Sequence, residues 1–304
     1  MNENDRPFLG VMLMLAFCVL APIGDSLAKL LGGMVAVAVL VAFRFGIQAV
    51  LLLPLVFLGG HGLRLPAGVL GWTLLRTGLH ILGIGMMFTA LRYLPLADAI
   101  AIAFVMPFIM LLLGHFVMGE EVGWQRLIAC IVGFVGTLLV IQPNFAEVGY
   151  PAHYPLGVAV IFALFMLVTR KIARTMDPIK LQAISGIQAT IVLVIALLVF
   201  PTLRGDLGFD LEPRTWALIG AMGLLGTFAH LFMTWSLRFA PTSTLAPMQY
   251  LEIPFGTVIG WLIFRDLPNG LAALGICITI AAGLYIIMRE QRLAKRSQAG
   301  SGAV

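Results

Sequence analysis

Ten apolar runs, each about as long as a membrane-spanning helix, leave this chain little choice of fold. They fall at about 9–28, 36–58, 69–91, 98–118, 126–143, 155–171, 181–201, 215–237, 244–264 and 270–288. A spanning helix needs roughly 20 mostly apolar residues. Turn formers punctuate the gaps, among them Gly59-Gly60, Pro143-Asn144, Asp177-Pro178 and Pro268-Asn269. Of the 304 residues, 61% are hydrophobic and 11% charged. A soluble domain carries about 25% charged residues, and so few charges cannot cover a soluble surface of this size. The expected fold class is therefore an all-α polytopic membrane protein with ten transmembrane helices. Cys18, Cys130 and Cys277 all lie in apolar runs and read as packing residues.

The first run is expected to be a retained helix rather than a cleaved leader, by its flanks. Glu3 and Asp5 precede it, no small-residue cleavage pattern follows, and Asp25 and Lys29 close it. Basic residues set the orientation. With the N-terminus inside, twelve of the nineteen Lys and Arg side chains fall in inner segments. Five (Lys29, Arg92, Arg204, Arg214 and Arg265) fall in outer ones, and Arg44 and Arg76 lie within spans. Both termini are expected in the cytoplasm of a cell with this protein in its inner membrane. The net charge of +5 is then no sign of nucleic acid. The basic tail, 289–304, faces the lipid surface of the bilayer.

The chain repeats itself. Leu9-Gly10-Val11 recurs as Leu156-Gly157-Val158, and Gly46-Ile47-Gln48-Ala49 as Gly186-Ile187-Gln188-Ala189. Leu91-Arg92-Tyr93-Leu94-Pro95 recurs as Leu237-Arg238-Phe239-Ala240-Pro241, and Gly114 aligns with Gly260. The matches keep their order and their span. They divide the chain into five-helix halves at 8–143 and 155–288. Five is odd, so the second half enters the membrane from the opposite side. Two inverted repeats are the architecture on which alternating access is built.

The repeat, the five-plus-five layout and two segments together resemble the drug/metabolite transporter superfamily, in its EamA-type branch. One segment is Arg92 to Asp98 running on to Met106-Pro107-Phe108 and Gly119-Glu120-Glu121. The other is Leu251-Glu252-Ile253-Pro254-Phe255 running on to Gly260-Trp261 and Arg265-Asp266. The resemblance covers nearly the whole chain. It implies a secondary carrier of a small metabolite, and within the superfamily the sequence looks most like vitamin and metabolite carriers, including riboflavin importers. An exporter of amino acids or similar small molecules would share the same features.

Ionisable and amide side chains inside spans are costly and point to a bundle interior or a water-filled cavity. Asp25 and Lys29 are four apart and serve either as an outer gate or as a self-neutralising pair. Arg44, four residues before Gln48, reads as a cavity cation or as a snorkelling one. Gln48 and its repeat partner Gln188 suit a neutral polar ligand or an interhelical hydrogen bond. Arg76 reads as an inner-interface charge. His80 and His230 could couple proton entry or simply hydrogen-bond. Asp98 reads as a helix N-terminal charge, and His115, Glu120 and Glu121 as interfacial. The ninth run is the richest, with Gln249, Tyr250 and Glu252 between Pro247 and Pro254. Proline frees a carbonyl and bends a helix, and Glu252 is the foremost candidate for a functional carboxylate.

The expected substrate-binding set is Arg44, Gln48, His80, Gln188, Trp235, Gln249, Tyr250 and Glu252. Phe88, Tyr93, Phe104, Trp235 and Tyr250 are the aromatic candidates. The second, third, fourth, seventh, eighth and ninth spans are expected to line the site. Gly256 to Gly260, and Gly220, Gly223 and Gly226, form small faces for close helix packing. No nucleotide-binding GxxxxGK[ST], metalloprotease HExxH or CxxC pattern is present. No cofactor, metal or catalytic residue is therefore expected, and a gradient of protons or another ion supplies the energy. An intramembrane enzyme would need a reacting pair that the sequence does not offer. A channel usually lines its pore with rings from several subunits.

Overall fold

A computed structural model describes residues 6–60, 62–120, 122–141, 150–205, 211–265 and 270–301. Their regular structure is entirely helical. The first half comprises α1 (Pro7–Leu31), α2 (Val37–Leu58), α3 (Leu70–Tyr93), α4 (Leu96–Ala103), α5 (Met106–Met118) and α6 (Trp124–Ile141). The second comprises α7 (His153–Ala173), α8 (Pro178–Val199), α9 (Pro213–Phe239), α10 (Thr242–Gln249), α11 (Glu252–Phe264) and α12 (Gly270–Ser301). Among the described residues, seven helices are long and apolar enough to cross a membrane. The fifth span is the 18-residue α6.

Proline and glycine shape the helix ends. Pro178 opens α8 behind Asp177, whose carboxylate accepts from the Lys180 backbone amide at 3.1 Å. Gly119 ends α5 in the left-handed conformation, φ 64°. The last helix runs on to Ser301, through the basic stretch expected to follow it as a tail.

The fourth and ninth spans are not continuous, a departure from the expected runs 98–118 and 244–264. Each is a pair of half-helices. Pro254 cannot donate to the Tyr250 carbonyl. The amide of Ile253 takes that carbonyl instead at 3.2 Å, one residue short of helical register, and tightens the turn. The equivalent turn before Pro107 carries a bond from Phe108 to the Val105 carbonyl, also 3.2 Å.

The helix pairing is the same when the halves are exchanged. α1 packs on α9, and its repeat counterpart α7 packs on α3. α2 packs on α8 and α6 on α12, each pair made of repeat partners. α4 packs on α11, and α5 on α10. This is a two-repeat fold.

One end of the bundle is sealed. The Arg6 amide donates to the Phe239 carbonyl at 2.8 Å, and a Cβ on Gly10 would lie 2.4 Å from that of Ala240. Glu120, at the end of α5, caps α10. Its carboxylate accepts from the Thr242 hydroxyl (2.6 Å), the Ser243 amide (3.0 Å) and the Thr242 amide (3.2 Å). Arg170 approaches the same carboxylate (3.8 Å) and donates to the carbonyls of Leu237 (2.6 Å) and Arg238 (3.1 Å). Glu120, expected at the interface, is thus a cap between the two halves. Glu121 and Asp266 lie outside the described residues.

Candidate functional site

Between the halves lies a cavity lined by residues of both. α1 contributes Phe17, Ala21, Gly24 and Asp25; α2 contributes Arg44; α3 contributes Gly83, Ile84, Met87 and Phe88. The broken fourth span gives Ile100, Ala103, Phe104 and Met106, and α7 gives Val158 and Phe162. From α9 come Met222, Gly226, Ala229 and His230, and from α11 Glu252. All these positions lie away from the sealed helix ends.

Arg44 organises the polar wall. It donates through Nη1 to Gln48 Oε1 at 3.0 Å and through Nη2 to the Gly226 carbonyl at 2.9 Å, and Nη2 lies 2.8 Å from His230 Nδ1. A guanidinium only donates and a carbonyl only accepts, so His230 Nδ1 either accepts from Arg44 or donates to the Gly226 carbonyl at 3.0 Å, according to the ring's tautomer; the other ring nitrogen is Nε2. That Nε2 has no partner. Gly226 makes the arrangement possible, since a Cβ there would meet Arg44 Nε at 3.0 Å. Gln48 completes the brace by donating to the Gln182 carbonyl at 2.8 Å.

Asp25 and Glu252 line the same space. Among the described residues no ion pair joins either carboxylate to Arg44 or Arg76. Two acids and one guanidinium therefore face a shared cavity walled by Phe17, Phe88, Phe104 and Phe162. A buried charge without a partner is expensive.

A second polar cluster lies outside this lining. Arg76 is fully buried, not at an interface. It donates through Nε to Thr169 Oγ1 (2.9 Å), through Nη1 to Ser185 Oγ (2.7 Å), and through Nη2 to Gln182 Oε1 (3.1 Å) and Thr234 Oγ1 (3.4 Å). It also sits over the Phe165 ring, 4.7 Å from the centroid. His80 stacks on that same ring at 4.4 Å, and its centroid is 4.5 Å from His230. Both His80 nitrogens are buried without a partner.

Residues 8–142 and 153–289 match the model of the EamA-like transporter family. The chain belongs to this family. It is 26% identical to an S-adenosylmethionine uptake transporter of Rickettsia prowazekii, over 96% of this chain and 97% of the relative. It is 29% identical to a riboflavin transporter of Rhizobium johnstonii, over 72% of this chain and 70% of that one. A protein of known crystal structure shares the fold at a TM-score of 0.72 and 20% identity, covering 93% of this chain and 97% of that one. The chain is thus a multi-pass membrane protein of a transporter family.

Of the eight residues singled out from the sequence, Arg44 and Glu252 line the cavity. Gln48 braces Arg44 from behind. His80, Gln249 and Tyr250 are fully buried outside the lining. Gln249 Nε2 touches Met166 Sδ at 2.9 Å, and its Oε1 has no partner. Tyr250 lies against Gly133, where a Cβ would fall 2.5 Å from its ring.

Gln188 and Trp235 are placed elsewhere. Gln188 ties α8 to α3, accepting from Thr77 (2.8 Å) and donating to Thr73 (3.1 Å). Trp235 packs with Leu52, Val56 and Leu231. Of the aromatic candidates, Phe88 and Phe104 line the cavity, while Tyr93 is exposed. The seventh span gives the cavity no residue, and the first and sixth take its place. Phe17 and Phe162 carried no signal in the sequence, because an aromatic ring in an apolar run looks the same facing lipid or cavity.

Proposed function

We propose that the chain is a secondary carrier that brings a small amphoteric metabolite across the inner membrane by alternating access. The favoured substrate class is S-adenosylmethionine-like: an aromatic base with an α-amino carboxylate and a second cationic centre. The observation that carries this reading is the charge count of the cavity. Arg44 is matched by one carboxylate of such a ligand, and Asp25 and Glu252 by its two positive centres. Phe17, Phe88, Phe104 and Phe162 provide rings for the base. The Rickettsia relative supports uptake of this class.

Riboflavin uptake is the second reading. The Rhizobium relative and the same four rings favour it; the charged wall favours it less, since an isoalloxazine brings no cation. The basic residues support cytoplasmic termini. The matched segments support five-helix halves at 8–143 and 155–288 with a basic tail from 289. A proton or other ion gradient drives the cycle in this reading, with Asp25 and Glu252 as the groups placed to take a proton.

Purified protein in liposomes, given radiolabelled S-adenosylmethionine or riboflavin with and without an inward proton gradient, tests the substrate. Concentrative S-adenosylmethionine uptake at least about tenfold above protein-free liposomes is expected, a factor worth about 1.4 kcal/mol. Riboflavin uptake without S-adenosylmethionine uptake would select the second reading. Movement of either compound only out of loaded vesicles would reverse the direction.

A further inference from the structure

The repeat relates the lining of the cavity to a second set of buried residues. The half-helices α4 and α5 (96–103 and 106–118) recur 146 positions later as α10 and α11 (242–249 and 252–264), end for end. The α3 and α9 helices end at Tyr93 and Phe239 with the same offset. In an inverted-repeat carrier the two halves exchange conformations when access alternates. Each cavity residue then hands its place to its repeat partner.

Met222 and Gly226 on α9 have Arg76 and His80 as partners on α3. Phe88 has Thr234. Ala103 and Phe104 have Gln249 and Tyr250. All five partners are fully buried. Arg76 and His80 lie on the stretch of α3, and Thr234 on the stretch of α9, nearer the sealed end; Gln249 and Tyr250 lie at the break of the ninth span. Met106 and Glu252 are partners of each other, and both already line the cavity.

Unmet hydrogen bonding marks two of the five independently. His80 has two buried ring nitrogens with no partner, and Gln249 a buried oxygen with none. Buried polar groups are nearly always satisfied, and an exception calls for an explanation. Arg76 is a fully buried cation held only by hydroxyls, an amide oxygen and a ring. Such a site is costly closed and becomes favourable when water and an anionic ligand enter.

We propose that Arg76, His80, Thr234, Gln249 and Tyr250 line the substrate cavity of the opposite-facing state. Arg76, the partner of the cavity's Met222, brings the cation for the substrate's anionic group in that state, and Glu252 faces the ligand in both states. The proposal rests on the carrier reading. It concerns the residues of the second state, which the substrate assay does not address.

Site-directed labelling tests it. Cys277, the exposed cysteine, is replaced by Ser, and residual labelling of buried Cys18 and Cys130 sets the baseline. Ala21→Cys reports on the present cavity and Thr234→Cys on the second one. A membrane-impermeant maleimide is applied to right-side-out and to inverted vesicles. Ala21→Cys is expected to react from one face and Thr234→Cys from the other. Saturating substrate should change the two rates in opposite directions.

Thr234→Cys reacting from the same face as Ala21→Cys, or from neither face while the parent still takes up substrate, would overturn the proposal. No uptake by the parent of any offered substrate, with both cysteines reacting from both faces, would overturn the carrier reading itself. A second variant covers the case in which Thr234→Cys does not fold. Arg76→Lys should raise KM measured from the sealed face at least about tenfold more than KM from the cavity face. Equal changes at both faces would refute the placing of Arg76 in the second cavity.

Discussion

The α4–α5 pair and the α10–α11 pair trace one backbone twice. Both break after the eighth helical residue, and both end in a left-handed residue, Gly119 at φ 64° and Arg265 at φ 63°. Their side chains diverge at the break. The first pair has Phe104 and Met106 there; the second has Tyr250 and Glu252. Duplication preserved the hinge geometry, and the chemistry collected in one copy. The proposed carrier therefore has a symmetric frame around an asymmetric site, so the same operation that moves the frame presents different groups to each side.

The largest effect expected from this asymmetry is at Glu252. Glu252→Gln keeps shape and removes the charge, exchanging one acceptor oxygen for an amide donor. Uptake of a cationic or amphoteric substrate should fall at least about tenfold, since a lost charge contact in a low-dielectric cavity costs roughly 1.5–3 kcal/mol. Met106→Leu, at the partner position, should change uptake less than about twofold, because near-isosteric swaps cost under about 1.5 kcal/mol. Equal losses in the two variants, measured as initial rates at matched protein amounts, would show that the hinge rather than the carboxylate limits transport.

A smaller effect concerns what each break packs against. Phe104 borders the cavity, whereas Tyr250 presses on Gly133 of α6. Gly133→Ala puts a methyl 2.5 Å from the ring, and overpacking of this kind costs about 1–3 kcal/mol. A lower melting temperature in detergent is expected. Adding Tyr250→Leu should restore it by removing the ring. If the double variant melts no higher than Gly133→Ala, the ring is not what the glycine accommodates.

The sequence reading reached the frame further than the site, for a physical reason. Run length, turn residues and the repeats at Gly46-Ile47-Gln48-Ala49 and Gly186-Ile187-Gln188-Ala189 depend only on local chemistry, so the spans were visible. Pro247 and Pro254 announced a bend in the ninth span. The fourth carries Pro107 in its final half-helix alone, and its break went unforeseen. Which face of a helix meets the cavity was not visible, because membrane helices are apolar all round and their pattern carries little facing information. Gln188 and Trp235 look as site-like in sequence as Arg44 does. Only packing shows that Gln188 bridges Thr73 and Thr77 and that Trp235 faces Leu52 and Val56. Arg44 stood out because burying a cation requires a reason anywhere in the membrane, and its side chain lines the cavity.

The smallest effects test whether the two frames are energetically as well as geometrically alike. A residue with a Cβ in the left-handed region pays roughly 1–2 kcal/mol that glycine does not. Gly119→Ala should therefore lower stability by about that amount. Arg265 is the only described non-glycine residue with positive φ, and its side chain is exposed. Arg265→Gly should raise stability, by less than Gly119→Ala lowers it, because glycine also gains freedom in the unfolded chain. Thermal unfolding of the two variants in one detergent measures both. If Arg265→Gly lowers the melting temperature, contacts of the arginine outweigh its backbone cost. The second frame would then be held at this turn by a side chain where the first is held by the absence of one.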